Sequence, residues 1–351
     1  MKRFYVIEQG CYLRKEGNLL KVYLGDRVVE EISLEDLETL TIVGRSSLSG
    51  AVLDELIRRR IETVLLTPEG RFRARLVVDE HKHVERRMKQ YLKLSDPSVK
   101  ALIAATVVSS KIQSCAYFVA QRSKEYSDKE LGALGLQLKS LAKIASQEST
   151  LEVIIGIEGR ASNLYFSRFS HLIKAPGFFF ESRNRRPPLD PVNALLSFVY
   201  TLLTNEVLTA VQRVGLDPYL GALHAVEYGR PSLACDLVEE WRNFLGDRLV
   251  LTLINRKIVN PDDFIYHLSE PESGSSNDGE KKPLRPVEMK PRVMRAFIRA
   301  YEKWLSRTIR DPFSGKEVTY RGLIYDQARR FLNFIMDKSD RFDPFPWDSI
   351  Y

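Results

Sequence analysis

Residues 190–215 read DPVNALLSFVYTLLTNEVLTAVQRVG, and this stretch decides the fold. Asp190 can cap a helix whose first position is Pro191, where the missing N–H costs nothing. Val192, Leu195, Leu196, Val199, Leu203, Val207 and Val211 then fall on one side at helical spacing, and the helix is expected to end near Gly215. A helix this long and apolar can be the core of an all-α domain. The Asp-Pro signal recurs at Asp96-Pro97 and Asp217-Pro218, which predicts two further helix starts.

Upstream the period changes. Residues 4–7, 12–15, 19–24, 27–32, 39–43 and 63–66 are β-rich runs bounded by Gly, Asp or Pro, with Glu16-Gly17-Asn18 as a turn. One amphipathic helix over 49–60 interrupts them, with Val52, Leu53, Leu56 and Ile57 on its buried face. The reading is therefore α+β: a small β-rich domain with one helix over 1–87, a linker at 88–95, and a larger all-α domain over 96–351. Residues 269–283 contain no large apolar side chain and are expected to form a mobile loop within that domain.

The chain has 351 residues, room for about two domains. Its net charge of +7 is unevenly spread, since residues 1–87 hold 16 basic and 15 acidic side chains and the remainder holds the surplus. A modest basic surplus fits a polyanionic partner without requiring one. Cys11, Cys115 and Cys235 are odd in number and far apart, giving neither a disulfide framework nor a zinc pattern, so a reducing cytoplasm is expected. No run approaches the roughly 20 uninterrupted apolar residues of a membrane span, and Glu8, Gln9 and Gly10 follow Met1-Lys2-Arg3-Phe4 too soon for an ordinary secretion signal.

Glu158 is the first residue that demands chemistry. A helix after Thr150 places Leu151, Ile154, Ile155, Ser162, Tyr165 and Phe169 on one stripe, with Glu158 at its middle. A carboxylate facing an interior needs a metal ion or a salt bridge, for instance to an arginine. Gly156 and Gly159 weaken that helix and point to something approaching its backbone closely. A second region, 216–242, sets His224 near the end of a short helix and opens another at Pro231, with Asp236, Glu239 and Glu240 at i, i+3 and i+4. Such a triplet is either a solvated face or, beside a histidine, a set of hard ligands suited to Mg²⁺ or Mn²⁺. His81 and His83 read as surface residues, and Cys235 as a small buried hydrophobe.

Basic side chains gather in two places. Arg183, Arg185 and Arg186 precede Pro187-Pro188; Arg292, Arg295, Arg299, Lys303, Arg307 and Arg310 line one side of an expected helix over 291–309. Met294, Phe297, Tyr301, Trp304 and Leu305 line its other side. The stripe could track a phosphate backbone or form an ordinary solvated face.

At this point the residues resemble a known family, the CRISPR-associated (Cas) endonuclease that integrates new spacers, the first-numbered Cas protein. The matching stretches are Glu158-Gly159-Arg160-Ala161-Ser162-Asn163-Leu164-Tyr165-Phe166, then Arg185-Arg186-Pro187-Pro188 leading into Asp190-Pro191-Val192-Asn193, then Gly215-Leu216-Asp217-Pro218 to His224. They continue through Gly229-Arg230-Pro231-Ser232-Leu233 to Asp236-Leu237-Val238-Glu239-Glu240 and on to Ile254-Asn255-Arg256. The β-rich part is similar at Gly17-Asn18 and at Ser33-Leu34-Glu35-Asp36-Leu37.

The resemblance implies a homodimer that joins the small second Cas protein of the adaptation complex. It also implies metal-dependent attack of a DNA fragment's 3′-hydroxyl on a phosphodiester at the edge of a CRISPR repeat. By the same resemblance Glu158, His224 and Glu239 hold Mg²⁺ or Mn²⁺, with Asp236 beside them, and Tyr165 and Asn193 position substrate. With Leu233, Leu237, Trp241 and Phe244 as the buried side, Asp236 lies at its edge and Glu239 further out, nearer the expected cleft. Two rival readings stand: a nuclease of branched repair intermediates, and a non-catalytic DNA-binding scaffold.

Overall fold

The strand-rich N-terminal segment forms two four-stranded sheets in the structure, a computed structural model describing residues 2–78, 82–185, 187–266 and 287–350. Its strands are β1 (Lys2–Val6), β2 (Cys11–Glu16), β3 (Leu19–Leu24), β4 (Arg27–Ser33), β5 (Leu37–Val43), β6 (Ser46–Leu48), β7 (Glu62–Leu66) and β8 (Phe72–Leu76). One helix, α1 (Gly50–Arg58), interrupts them, and the Ser49 hydroxyl caps it by accepting from the Val52 N–H. One sheet runs β1-β5-β7-β8, parallel except for β8; the other runs β4-β3-β2-β6. Gly17, at φ +58°, turns β2 back onto β3, and the register brings Glu16 opposite Leu19. Leu13, Leu20, Val22, Leu40, Ile42, Val52 and Leu56 form the shared core. The short strands β6 and β8 were not expected, because neither Ser46–Leu48 nor the Arg-rich Phe72–Leu76 carries a β-branched run.

Helices follow: α2 (Val84–Leu94), α3 (Pro97–Tyr126), α4 (Lys129–Gln147), α5 (Leu151–Ser167), α6 (Pro191–Arg213), α7 (Ser232–Trp241), a π-helical turn (Arg242–Asp247) and α8 (Arg248–Asn255). After the two-residue strands β9 (Phe264–Ile265) and β10 (Glu288–Met289) come α9 (Pro291–Leu305), β11 (Thr308–Arg310), β12 (Glu317–Thr319) and α10 (Tyr320–Ile335). Asp96 caps α3 through the Ser98 N–H, and Asp190 accepts from the Asn193 N–H at the start of α6. α6 ends in a Schellman motif, with the Gly215 N–H donating to Gln212 and the Leu216 N–H to Val211. α3 and α6 are apolar and long enough to cross a membrane by composition, but 72% and 78% of their apolar windows are buried within the protein, as in core helices.

Several expectations need correction. Asp217-Pro218 starts a turn and no helix: the Asp217 carboxylate accepts from the Tyr219 N–H, and no apolar period follows. His224 accordingly lies in a loop. The expected linker at 88–95 lies almost wholly in α2, whose charged residues still leave a helical period. The expected helix over 291–309 stops at Leu305, and 308–310 pair as a strand. The large domain is also not contiguous. One compact unit is drawn from Met1–His81, Arg186–Thr201 and Asp262–Phe297, and the other from Lys82–Arg185, Leu202–Pro261 and Ile298–Tyr351. His81, Arg186 and the expected loop at 269–283 lie outside the described residues.

Candidate active site

Three helices of the second unit bring charge to one point. α3 packs against both α5 and α7. Lys111 extends from the middle of α3, Glu158 from α5 and Glu239 from α7. The Lys111 ammonium pairs with Glu158 Oε1 and lies 2.7 Å from Glu239 Oε2. The Ser162 hydroxyl, one turn along α5, donates to the same Glu158 oxygen at 2.8 Å. Arg242, first residue of the π-helical turn, holds the other Glu239 oxygen at 2.8 Å. Glu239 is 3% exposed, whereas the Glu158 side chain is 27% exposed and opens the cluster to solvent.

Charge keeps these acids ionised. Burial pushes the Glu239 carboxyl up, but Arg242 and Lys111 outweigh it and hold the pKa down to about 2. Glu158 follows the same balance, with burial raising its pKa and Lys111 lowering it below the usual carboxylate range. Burial penalises the Lys111 charge as well, yet Glu239 and Glu158 hold its pKa above the ordinary lysine value.

Asp236 has a different task. Its Oδ2 accepts from the N–H groups of Ala222 at 2.5 Å and Leu223 at 3.0 Å. Its Oδ1 accepts from the His224 N–H at 2.9 Å and lies 2.7 Å from His224 Nδ1. Four contacts fill the acceptor capacity of one carboxylate. Gly221 permits this closeness, since a Cβ there would stand 2.5 Å from Asp236 Oδ2. The loop is anchored from α2, where buried Gln90 donates to the carbonyls of Asp217 and Leu220 and accepts from the Asp217 N–H. With Nδ1 turned to Asp236, the imidazole is left with Nε2 as its ligand atom. His224 also acts electrostatically on Glu239 to lower its pKa.

The expected ranking of the two acids is thus corrected in its geometry. Glu239 does not point outward: Asp236, Glu239 and Glu240 are all buried, because α3 covers the far side of α7. Glu240 faces away from the cluster and accepts from the Ser110 hydroxyl, from Gln327 Nε2 and from the Phe345 N–H. Glu158 does form a salt bridge, with a lysine where an arginine was expected. Among the described residues nothing stands within 4 Å of a Cβ built at Gly156 or Gly159, which leaves that face of α5 open. Cys235 is half-buried.

Tyr165 and Asn193 both lie inside the protein. Tyr165 is buried, with its hydroxyl 3.0 Å from Asp247 Oδ2 and accepting from Asn243. The fully buried Asn193 donates its amide to Asp190 at the start of α6. Among the expected DNA contacts, Arg185, Arg292 and Arg299 are exposed, Arg183 is half-buried, and Arg295 pairs with Glu8.

Lys111 and Arg242 were missed, although Lys111 is the only charged residue between Ala101 and Ala120, the same signal that singled out Glu158. Among the described residues no three His, Cys, Asp or Glu side chains stand together ready to hold a metal ion. Two carboxylates nevertheless converge on one cation, at present the Lys111 ammonium, and His224, tied to Asp236, acts electrostatically on one of them, Glu239. Two hard oxygens and one imidazole nitrogen are a donor set that fits Mg²⁺ or Mn²⁺.

The fold is that of an α+β protein whose second unit holds the charged cluster of Glu158, Lys111, Glu239 and Arg242. The profile of the family described as CRISPR associated protein Cas1 matches residues 4–302, and the chain belongs to that family. "CRISPR-associated endonuclease Cas1 3" of Thermus thermophilus is 35% identical over 343 residues, 97% of this chain and 96% of that protein. Two solved structures share the fold. A casposase bound to integration product superposes with a TM-score of 0.82 at 22% identity, covering 99% of this chain and 94% of the other. A chain of a Cas6-RT-Cas1–Cas2 complex gives 0.79 at 21% identity, covering 98% of this chain and 36% of the other.

Proposed function

We propose that this chain is a metal-dependent DNA integrase that inserts new spacers into a CRISPR array. The observation that carries the reading is the convergence of Glu158 and Glu239, from different helices, on one cation, with a histidine fixed by Asp236 acting electrostatically on Glu239. Glu158, Glu239 and His224 Nε2 would hold Mg²⁺ or Mn²⁺, which when bound polarises a phosphodiester and favours the attacking hydroxylate. Asp236 keeps the His224 proton on Nδ1 and the ring in place. Arg242 and Lys111 keep the two glutamates ionised and add positive charge where a DNA phosphate would sit. The exposed arginines Arg185, Arg292 and Arg299 supply a salt-sensitive grip on the backbone.

The relatives' names and the integration product held by the structurally similar casposase support this chemistry. The pairing of Cas1 with Cas2 in the structurally similar complex supports the small second Cas protein as partner. The working form proposed is a homodimer joined to that partner and acting on protospacer and repeat DNA. Two copies provide two sites for the two strand transfers.

The test is Mn²⁺-dependent joining of a 3′-hydroxyl DNA end to repeat-containing DNA. Glu158→Gln and His224→Ala are expected to lose joining while retaining DNA binding, because the basic surface is untouched. Normal joining by either purified variant refutes the assignment.

A further inference from the structure

Glu158 and Glu239 carry two negative charges, and Lys111 and Arg242 carry two positive ones, so the cluster is balanced without a metal ion. Lys111 touches both carboxylates. Its ammonium sits where their oxygens converge, and its side chain is 13% exposed. A divalent ion that used the same two carboxylates would meet a charge of the same sign at hydrogen-bonding distance, a repulsion that low dielectric makes severe. Arg242 holds the opposite oxygen of Glu239 and need not move.

We propose that Lys111 is the resident counter-ion of the site, held in exchange with the divalent metal, so that metal loading is coupled to DNA binding. The proposal rests on the metal reading above. Without DNA, the ammonium occupies Glu158 and Glu239 and metal binds weakly. When a DNA phosphate enters, it gives the displaced ammonium a new partner and balances the charge added by the ion. By linkage, DNA tightens metal binding and metal tightens DNA binding by the same factor. The arrangement restrains metal-dependent cleavage until substrate is present. Glu158 sets the geometry of the exchange, being the more exposed acid and the one on the solvent side of the ammonium.

Isothermal titration with Mn²⁺ tests this on the full chain, with and without a short DNA duplex, in wild type, Lys111→Met and Lys111→Arg. Without DNA, Lys111→Met is expected to bind Mn²⁺ about tenfold more tightly than wild type, or better. Lys111→Arg, which keeps the charge, should bind as weakly as wild type. The duplex should strengthen Mn²⁺ binding in wild type far more than in Lys111→Met. Adding Glu239→Gln to Lys111→Met should abolish the gain, locating it at this site.

Equal or weaker Mn²⁺ binding by Lys111→Met, in a setting where wild type does bind, overturns the proposal and leaves the metal reading standing. No Mn²⁺ binding by any of the proteins, even with DNA, overturns the metal reading itself. Lys111→Met is prepared with Mn²⁺ present, since the ion should replace the lost charge. Recovery of folding by Mn²⁺ supports the exchange, and a variant unfolded even with Mn²⁺ contradicts it.

Discussion

Glu239 shows how a single buried acid can be both costly and useful. Its carboxyl is held at about 2, well under its unfolded value near 4.3, by Arg242 and Lys111 acting against burial. A pKa lowered on folding contributes stability that is complete above the unfolded value and fades as pH falls toward the folded one. Wild type should therefore lose stability relative to Glu239→Gln as pH drops from about 4.3 toward 2. Urea midpoints of the two proteins across that range check this, and a difference that stays constant with pH contradicts it. Glu158 was legible in the sequence because it interrupts an apolar stripe. Lys111 offered the same signal in α3, but that helix had been identified from its Asp96-Pro97 start alone. The relative burial of Asp236 and Glu239 was not legible at all, because one helix viewed by itself does not show that α3 covers its other side.

At the scale of elements, α7 is fixed at both ends of its acidic run. Asp236 gathers the His224 loop, and Glu240 gathers the C-terminal segment. Trp347 Nε1 donates to the Ser110 hydroxyl, which itself donates to Glu240, while Gln327 bridges Glu240 and Trp241 Nε1. These bonds join α3, α7, α10 and the C-terminal segment around Glu240. Glu240→Ala should leave Ser110, Gln327 and the Phe345 N–H without their buried acceptor and cost about 3 kcal/mol or more. Equilibrium denaturation measures it, and a stability within about 0.5 kcal/mol of wild type would sink the clasp. Sequence signals found the helices whose caps coincide with an apolar period, as at Asp96 and Asp190. They failed at Asp217, where the cap is present but the following residues are held by Gln90 and Asp236 in place of helical bonds.

On the whole-molecule scale, the α+β character and the family were readable from motif order along nearly the entire chain, while the partition into units was not. Segments around Pro191 and Pro291 group with the strands through contacts between residues distant in sequence, which no local pattern records. The basic stripe is divided as well, Arg292 and Arg295 falling in one unit and Arg299 in the other. The charge surplus therefore cannot be assigned to the helical unit alone, as the linear count had implied. The site itself is contained in one unit, since Lys111, Glu158, His224, Asp236, Glu239 and Arg242 all belong to the second. That containment makes a direct measurement possible. Crystals of the full chain grown with DNA and Mn²⁺ should give an anomalous peak within coordination distance of Glu158, Glu239 and His224 Nε2, with the Lys111 ammonium moved away from both glutamates. A peak bound by other residues, or no peak with Lys111 still bridging Glu158 and Glu239, would contradict the account.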